Sequence, residues 1–279
     1  MTDFTAQDFT GQDLAGSSFR RVNLSGSTFR EVHLTEALLH DVDLSGTRVR
    51  AAYLDGVRMT GVEVPDLEIY GELGRLVVNG VDVVPLVEAE LHRRMPERAQ
   101  MSPTDVAGVR EAIATLDRLW AGTVERARAM PPEALHEQVD EEWSFIETLR
   151  HLGFAHACWV GGVVLADPSP WHPLDLPWDE APVVDGVPWD RDVRPSLDEV
   201  LELRAQRRAT VQAVLDGLDD AGLRREVRSA TPFLTDAEHL DVAQCLKVVI
   251  NEEWEHRLYA ERDLTVLWRA ASAGRTLTP

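Results

Sequence analysis

One lysine, Lys247, stands among 28 basic residues in this 279-residue chain, and only two cysteines, Cys158 and Cys245, are present. Two cysteines embedded in helical patterns do not make a disulfide framework, which fits a reducing, cytoplasmic setting. Positive charge is scarce overall: 48 acidic residues set the net charge at −20. Such a surface repels phosphate backbones and anionic lipid, so neither direct nucleic-acid binding nor membrane association is expected. No run approaches the ~18 apolar residues that span a bilayer, and MTDFTAQDFTGQD lacks the charged start and apolar core of an export signal. Glycine-rich phosphate loops, Gly-x-Ser-x-Gly, Cys-x-x-Cys and His-Glu-x-x-His are all absent. Nucleotide chemistry, serine hydrolysis and zincin proteolysis therefore have no support.

What is present begins with a period of five. From Phe4 an apolar residue recurs at every fifth position through Phe9, Leu14, Phe19, Leu24, Phe29, Leu34, Leu39, Leu44, Val49, Leu54, Met59 and Val64 to Ile69. A strand would alternate and a helix would drift off face, so a fixed step of five belongs to a solenoid whose repeats each turn the chain by a constant angle. The residue two before each centre is often small or β-branched, as at Ser17, Val22, Ala37 and Ala52. This pattern resembles the pentapeptide-repeat family. The resemblance implies a right-handed quadrilateral β-helix over residues 1–75. Residues 76–101 read as its cap and connector, with a short strand, an Asn79-Gly80 turn, a helix from about Val83 to His92 and the polar boundary MPERAQMSPT.

From Ser102 onward four helical patterns each open on a cap: Ser102-Pro103 with Asp105, Ser144 with Glu147, Ser196 with Glu199, and Asp241 with Gln244. Four amphipathic helices imply a bundle over 102–279 and a two-domain α+β chain. A segment rich in proline and tryptophan, 167–195, separates the second and third helices. Trp171, Trp178 and Trp189 argue that it is ordered, lies across one end of the bundle and walls a pocket.

Glu252 and His256, four apart in NEEWEHRLYAERDL, share one helix face, and His151 in ETLRHLGFAH is the best third partner. Two imidazoles and a carboxylate suit a divalent ion, zinc first and nickel second, with a position left for another ligand. The plainer alternative makes His151 a hydrogen-bonded core residue and Glu252 the partner of Arg257 or another cation. Glu253 and Trp254 read as flanking residues, Arg257 and Tyr259 as supporting or pocket-lining groups, and His156, five after His151, as a surface residue on another face. Cys158 and Cys245, each two turns along the face of its ligand, read as core.

The segments EEWSFIETLRHL and NEEWEHRLYAERDL resemble the DinB-like superfamily of bacterial metalloproteins, which includes mycothiol-dependent maleylpyruvate isomerases. His151 and His256 match its pattern, while Glu252 stands where most members carry a histidine. The resemblance implies an up-down-down-up four-helix bundle and a metal-dependent thiol-S-transferase. Such an enzyme activates a low-molecular-weight thiol against an electrophilic small molecule in detoxification or stress defence. The arginine-rich composition points to a high-GC genome, and in an actinobacterium the thiol would be mycothiol. The competing function makes the solenoid the working part, as a DNA-mimicking topoisomerase binder or a homodimerisation scaffold beside a silent bundle. Residues 1–70 carry eleven acidic and six basic residues, so acidity is not concentrated there.

Overall fold

The computed structural model describes residues 8–50, 52–179, 181–188, 190–234 and 240–272; Phe4, Trp189 and His239 lie outside them. The chain divides into two compact units, Met1–Ile69 and Tyr70–Pro279.

In the first unit the period of five is written into the backbone. Left-handed φ angles recur at Gly11, Gly16, Arg21, Gly26, Glu31, Glu36, Asp41, Gly46, Gly56 and Gly61. Short turns accompany them, as where Ser17 and Ser27 donate their backbone N–H to the carbonyls of Leu14 and Leu24, each at 3.0 Å. The expected β-helix is not found, however: among the described residues this unit has no strand, and every described residue from 8 to 72 is exposed. Phe19 and Leu34, both central positions of the repeat, are each 59% exposed. The turn is local and each pentapeptide encodes it, whereas a closed coil needs backbone pairing between distant turns, which the described residues do not make.

The second unit opens with a hairpin, β1 (Val77–Val78) and β2 (Val81–Asp82), antiparallel with Val78 opposite Val81. Asn79 (φ 49) and Gly80 (φ 86) turn it, both left-handed as a two-residue hairpin of this type requires. Helix α1 (Val84–Arg94) and a 3-10 turn (Pro96–Met101) lead to α2 (Val106–Arg128). Asp105 caps α2 by accepting from Gly108 N–H at 2.7 Å. Val106, Val109, Ile113, Leu116 and Trp120 bury the face that the spacing predicts.

After a 3-10 turn (Pro132–His136) comes α3 (Phe145–His156), opened by the reciprocal Ser144/Glu147 box. It runs into a wider π-helical stretch, Ala157–Val164. Gly161 and Gly162 in that stretch permit close approach: a Cβ on Gly162 would lie 2.0 Å from Thr231 Cγ2, and one on Gly161 2.6 Å from Pro170 Cβ. The described residues of 167–195 form neither helix nor strand. Helix α4 (Leu197–Asp216) carries the same box at Ser196/Glu199. A short α5 (Asp220–Leu223) and an antiparallel pair, β3 (Glu226–Val227) and β4 (Leu240–Asp241), precede α6 (Val242–Ser272). Asp241 and Gln244 exchange backbone-to-side-chain bonds of 2.9 and 2.8 Å at the start of α6.

Helix α6 packs on α2 and α3, and α3 also packs on α4. The interior holds two apolar clusters. One takes Leu246, Ile250 and Trp254 from α6, and the other takes Ala260, Leu264 and Leu267. Polar side chains fall at this junction. Among the described residues no helix is long and apolar enough to cross a membrane.

Candidate metal centre

Helix α3 is buried on nearly every face: from Ile146 to His156 only Glu147 escapes full burial. A helix enclosed all round cannot be sorted into a core and a solvent face, so His151 and His156 both point into protein. His151 meets α6 at its Glu252/His256 step. One candidate ligand atom from each of the three residues lies within 4.8 Å of the others. Nε2 of His151 is 3.5 Å from Oε2 of Glu252, Nδ1 of His256 is 3.3 Å from the same oxygen, and the two imidazole centroids are 5.0 Å apart.

The imidazoles are anchored alike. His151 Nδ1 lies 3.0 Å from the Leu176 carbonyl and His256 Nδ1 lies 2.9 Å from the Glu252 carbonyl. A carbonyl only accepts, so in each neutral ring Nδ1 carries the proton and Nε2 bears the lone pair. Burial pulls the His256 pKa down, with the neighbouring His151 adding to it, which keeps that ring in its ligating form. Burial pushes the Glu252 carboxyl up, but His151 and His256, when protonated, outweigh it and hold the group below its usual range. Oε2 of Glu252 is buried without a hydrogen-bond partner. Two imidazoles and an orphaned carboxylate oxygen, with one ligand atom of each residue within 4.8 Å of the others, fit a divalent cation, which would satisfy that oxygen.

A family model described as the DinB superfamily matches residues 115–260, more than half of the chain and all three side chains. The chain belongs to the DinB superfamily. Pentapeptide repeats, in eight copies, match residues 2–35 and 23–61, so the DinB-superfamily region follows an N-terminal repeat segment. No curated protein matched in a comparison, and neither did any solved structure.

Other predicted site residues fall at varying distances from the triad. Tyr259 is beside it, its ring 6.1 Å from that of His256. Arg257 pairs with neither Glu252 nor the imidazoles; its Nε donates to Thr123 on α2 at 3.1 Å. Trp171 and Trp178 lie one ring further out, 5.3 and 6.1 Å from Phe154, whose own ring is 6.2 Å from His151. Phe233 closes this aromatic wall, 5.3 Å from Trp178.

Two expectations from the sequence are corrected. His156 is not a surface residue but is 3% exposed, and Glu253 is not a flanking group but is 1% exposed. His156 Nε2 bonds Glu253 Oε1 at 2.8 Å, and Arg204 from α4 grips both Glu253 oxygens at 2.9 and 2.6 Å. Burial opposes ionisation of Glu253, yet Arg204 and His156 hold its pKa far below the usual range. Trp143, whose indole lies 4.4 Å from His151 and 5.9 Å from His256, carries no periodic signal in the sequence. Its position just before the α3 cap, where apolar residues pack back on the helix, is the one available hint.

Proposed function

We propose that the protein is a divalent-metal-dependent thiol-S-transferase that activates a low-molecular-weight thiol for attack on an electrophilic small molecule. Residues 102–279 form its catalytic domain, with α2, α3, α4 and α6 as an up-down-down-up bundle. The observation that carries this proposal is the convergence of His151, Glu252 and His256, one ligand atom of each within 4.8 Å of the others, with each imidazole held through Nδ1 by a main-chain carbonyl. These three residues would hold the ion, zinc by donor chemistry and nickel as second choice. Bound there, the ion would supply positive charge that lowers the pKa of a thiol or water.

The chain's own residues prepare that chemistry. The Leu176 and Glu252 carbonyls fix the tautomers of the imidazoles. The ring layer of Phe154, Trp171, Trp178 and Phe233 puts apolar surface beside the triad, suited to excluding water and packing an uncharged electrophile. Cys158 and Cys245 are buried with thiols pushed up to about 11 and about 12, so neither supplies the nucleophile and an external thiol is required.

The test is elemental analysis of protein purified without added metal or chelator, beside the combined His151→Ala, Glu252→Gln and His256→Ala variant. About one equivalent of zinc or nickel in the parent, lost in a folded variant, is expected and justifies screening thiols, mycothiol among them, for metal-dependent consumption with an electrophile. A parent that takes up no metal after reconstitution sinks the proposal. The alternative, an interaction module at the N-terminus beside a silent bundle, is favoured by the row of half-exposed apolar residues from Phe9 to Ile69. A topoisomerase effect or dimerisation that survives loss of the triad would support it.

A further inference from the structure

The indole of Trp143 packs against both imidazoles of the triad, although it belongs to neither helix that carries them. Its centroid is 4.4 Å from that of His151 with the planes tilted by 47°, and 5.9 Å from that of His256 with the planes 22° apart. The indole is itself tied down. Nε1–H donates to Asp179 Oδ1 at 3.0 Å, and the same oxygen accepts from Arg191 Nη1 at 2.7 Å. Arg191 Nη2 donates to the Trp178 carbonyl at 2.9 Å, so the tie ends on the segment that also supplies Leu176 O to His151.

The backbone just before Trp143 is strained. Asp140 and Glu141 both adopt left-handed φ angles, 52° and 62°, an unfavourable conformation for two successive residues with side chains. Glu142 N–H donates to Val139 O at 2.9 Å and closes this turn, which delivers Trp143 immediately ahead of the Ser144 cap. Strain of this kind persists where the surrounding contacts over-determine the position.

A single bond from Nδ1 to a carbonyl fixes one direction of an imidazole but leaves the ring free to rock about it. An indole packed on both rings removes that freedom, and the direction of Nε2 decides whether the two lone pairs converge. We propose that Trp143 is a positioning residue for the triad, clamped by Asp179 and Arg191, so that the ligating orientation of His151 and His256 depends on the docked 167–195 segment. The proposal rests on the triad being a metal site, and the experiment separates the two.

Zn2+ binding by the full-length protein is measured by calorimetry, and Co2+ binding by its visible absorption bands, for the parent, Trp143→Ala, Trp143→Phe and Asp179→Ala. Trp143→Ala is expected to weaken Zn2+ binding by about ten-fold and to shift the Co2+ bands. Trp143→Phe, which keeps a flat ring but cannot donate to Asp179, recovers both only to the level of Asp179→Ala. Asp179→Ala, an exposed change that leaves the core intact, weakens binding in the same direction. If the parent binds Zn2+ and Asp179→Ala binds it with unchanged affinity and unchanged Co2+ bands, the positioning role is overturned while the triad stands. If the parent binds neither ion, the metal site fails and the positioning role with it.

Discussion

His156 Nε2 lies 2.8 Å from Glu253 Oε1, one residue along α6 from the candidate ligand Glu252. A second histidine–carboxylate pair therefore joins the same two helices one residue further along α6. The two neighbouring glutamates have different tasks: Glu252 offers an unpartnered oxygen to the triad, while both oxygens of Glu253 are held by His156 and Arg204. The Arg204 guanidinium also lies 4.6 Å from the Trp120 ring, and Trp120 Nε1 donates to the Glu253 carbonyl at 3.1 Å. This network joins α2, α3, α4 and α6 at the level of the triad.

Removing the charge at Glu253 should therefore cost far more than at an exposed glutamate. Glu253→Gln leaves the Arg204 guanidinium enclosed without its carboxylate and is expected to destabilise the protein by about 3–5 kcal/mol in urea unfolding. Arg204→Ala should cost a similar amount, and the double variant less than the two together, because they share one interaction. Additive losses would show that the pair is not coupled.

Arg150 is fully buried, and its guanidinium donates to three main-chain carbonyls: Leu174 at 2.9 Å, Val193 at 3.3 Å and Asp190 at 2.5 Å. One side chain from α3 thus gathers both ends of the proline- and tryptophan-rich segment. Arg150→Leu should release that segment and raise hydrogen exchange at its amides while α2 and α6 keep their protection. Unchanged exchange across residues 174–193 would remove Arg150 from this role.

Asp175 is enclosed, with Oδ2 accepting from Arg207 at 2.7 Å and from the His172 N–H at 2.8 Å. Burial nevertheless pushes its carboxyl up to about 6, against the opposing pull of Arg207. A folded-state value above the unfolded one means that the group's contribution is fully present below the unfolded pKa and is lost as pH rises through the folded value. Asp175→Asn does not titrate. Its urea midpoint relative to the parent should therefore rise between about pH 4 and about pH 7. A relative midpoint that falls over that range would show that Arg207 outweighs burial.

The two thiols give a simple chemical check. With Cys158 and Cys245 buried and their pKa values pushed up to about 11 and about 12, neither presents thiolate at neutral pH. Iodoacetamide should label neither cysteine in the native protein and both after denaturation. Rapid native labelling would place a reactive thiol in the fold.

Much of this is legible in residue order because it depends on near neighbours. The caps at Ser144, Ser196 and Asp241 each involve a partner three residues away and all three form, whereas at the first of the four helices Asp105, not Ser102, is the cap and accepts from Gly108. Glu252 and His256 share a face because four residues make about one helical turn. The Asn79-Gly80 hairpin and the left-handed step of five are likewise set within a few residues.

Tertiary structure alone decided the rest. It buried α3 on all sides, which moved His156 from an assumed surface to the core and gave Glu253 its partners from α3 and α4. It brought Trp143 onto His151 and His256 and set Leu176 against His151, contacts that link separate segments and leave no periodic trace in the sequence. Among the described residues it also left the repeat unit without a buried core, because its turns are local while a solenoid wall requires pairing across coils. Sequence pattern specifies faces and turns; which faces meet is fixed only when helices from distant parts of the chain share one interior.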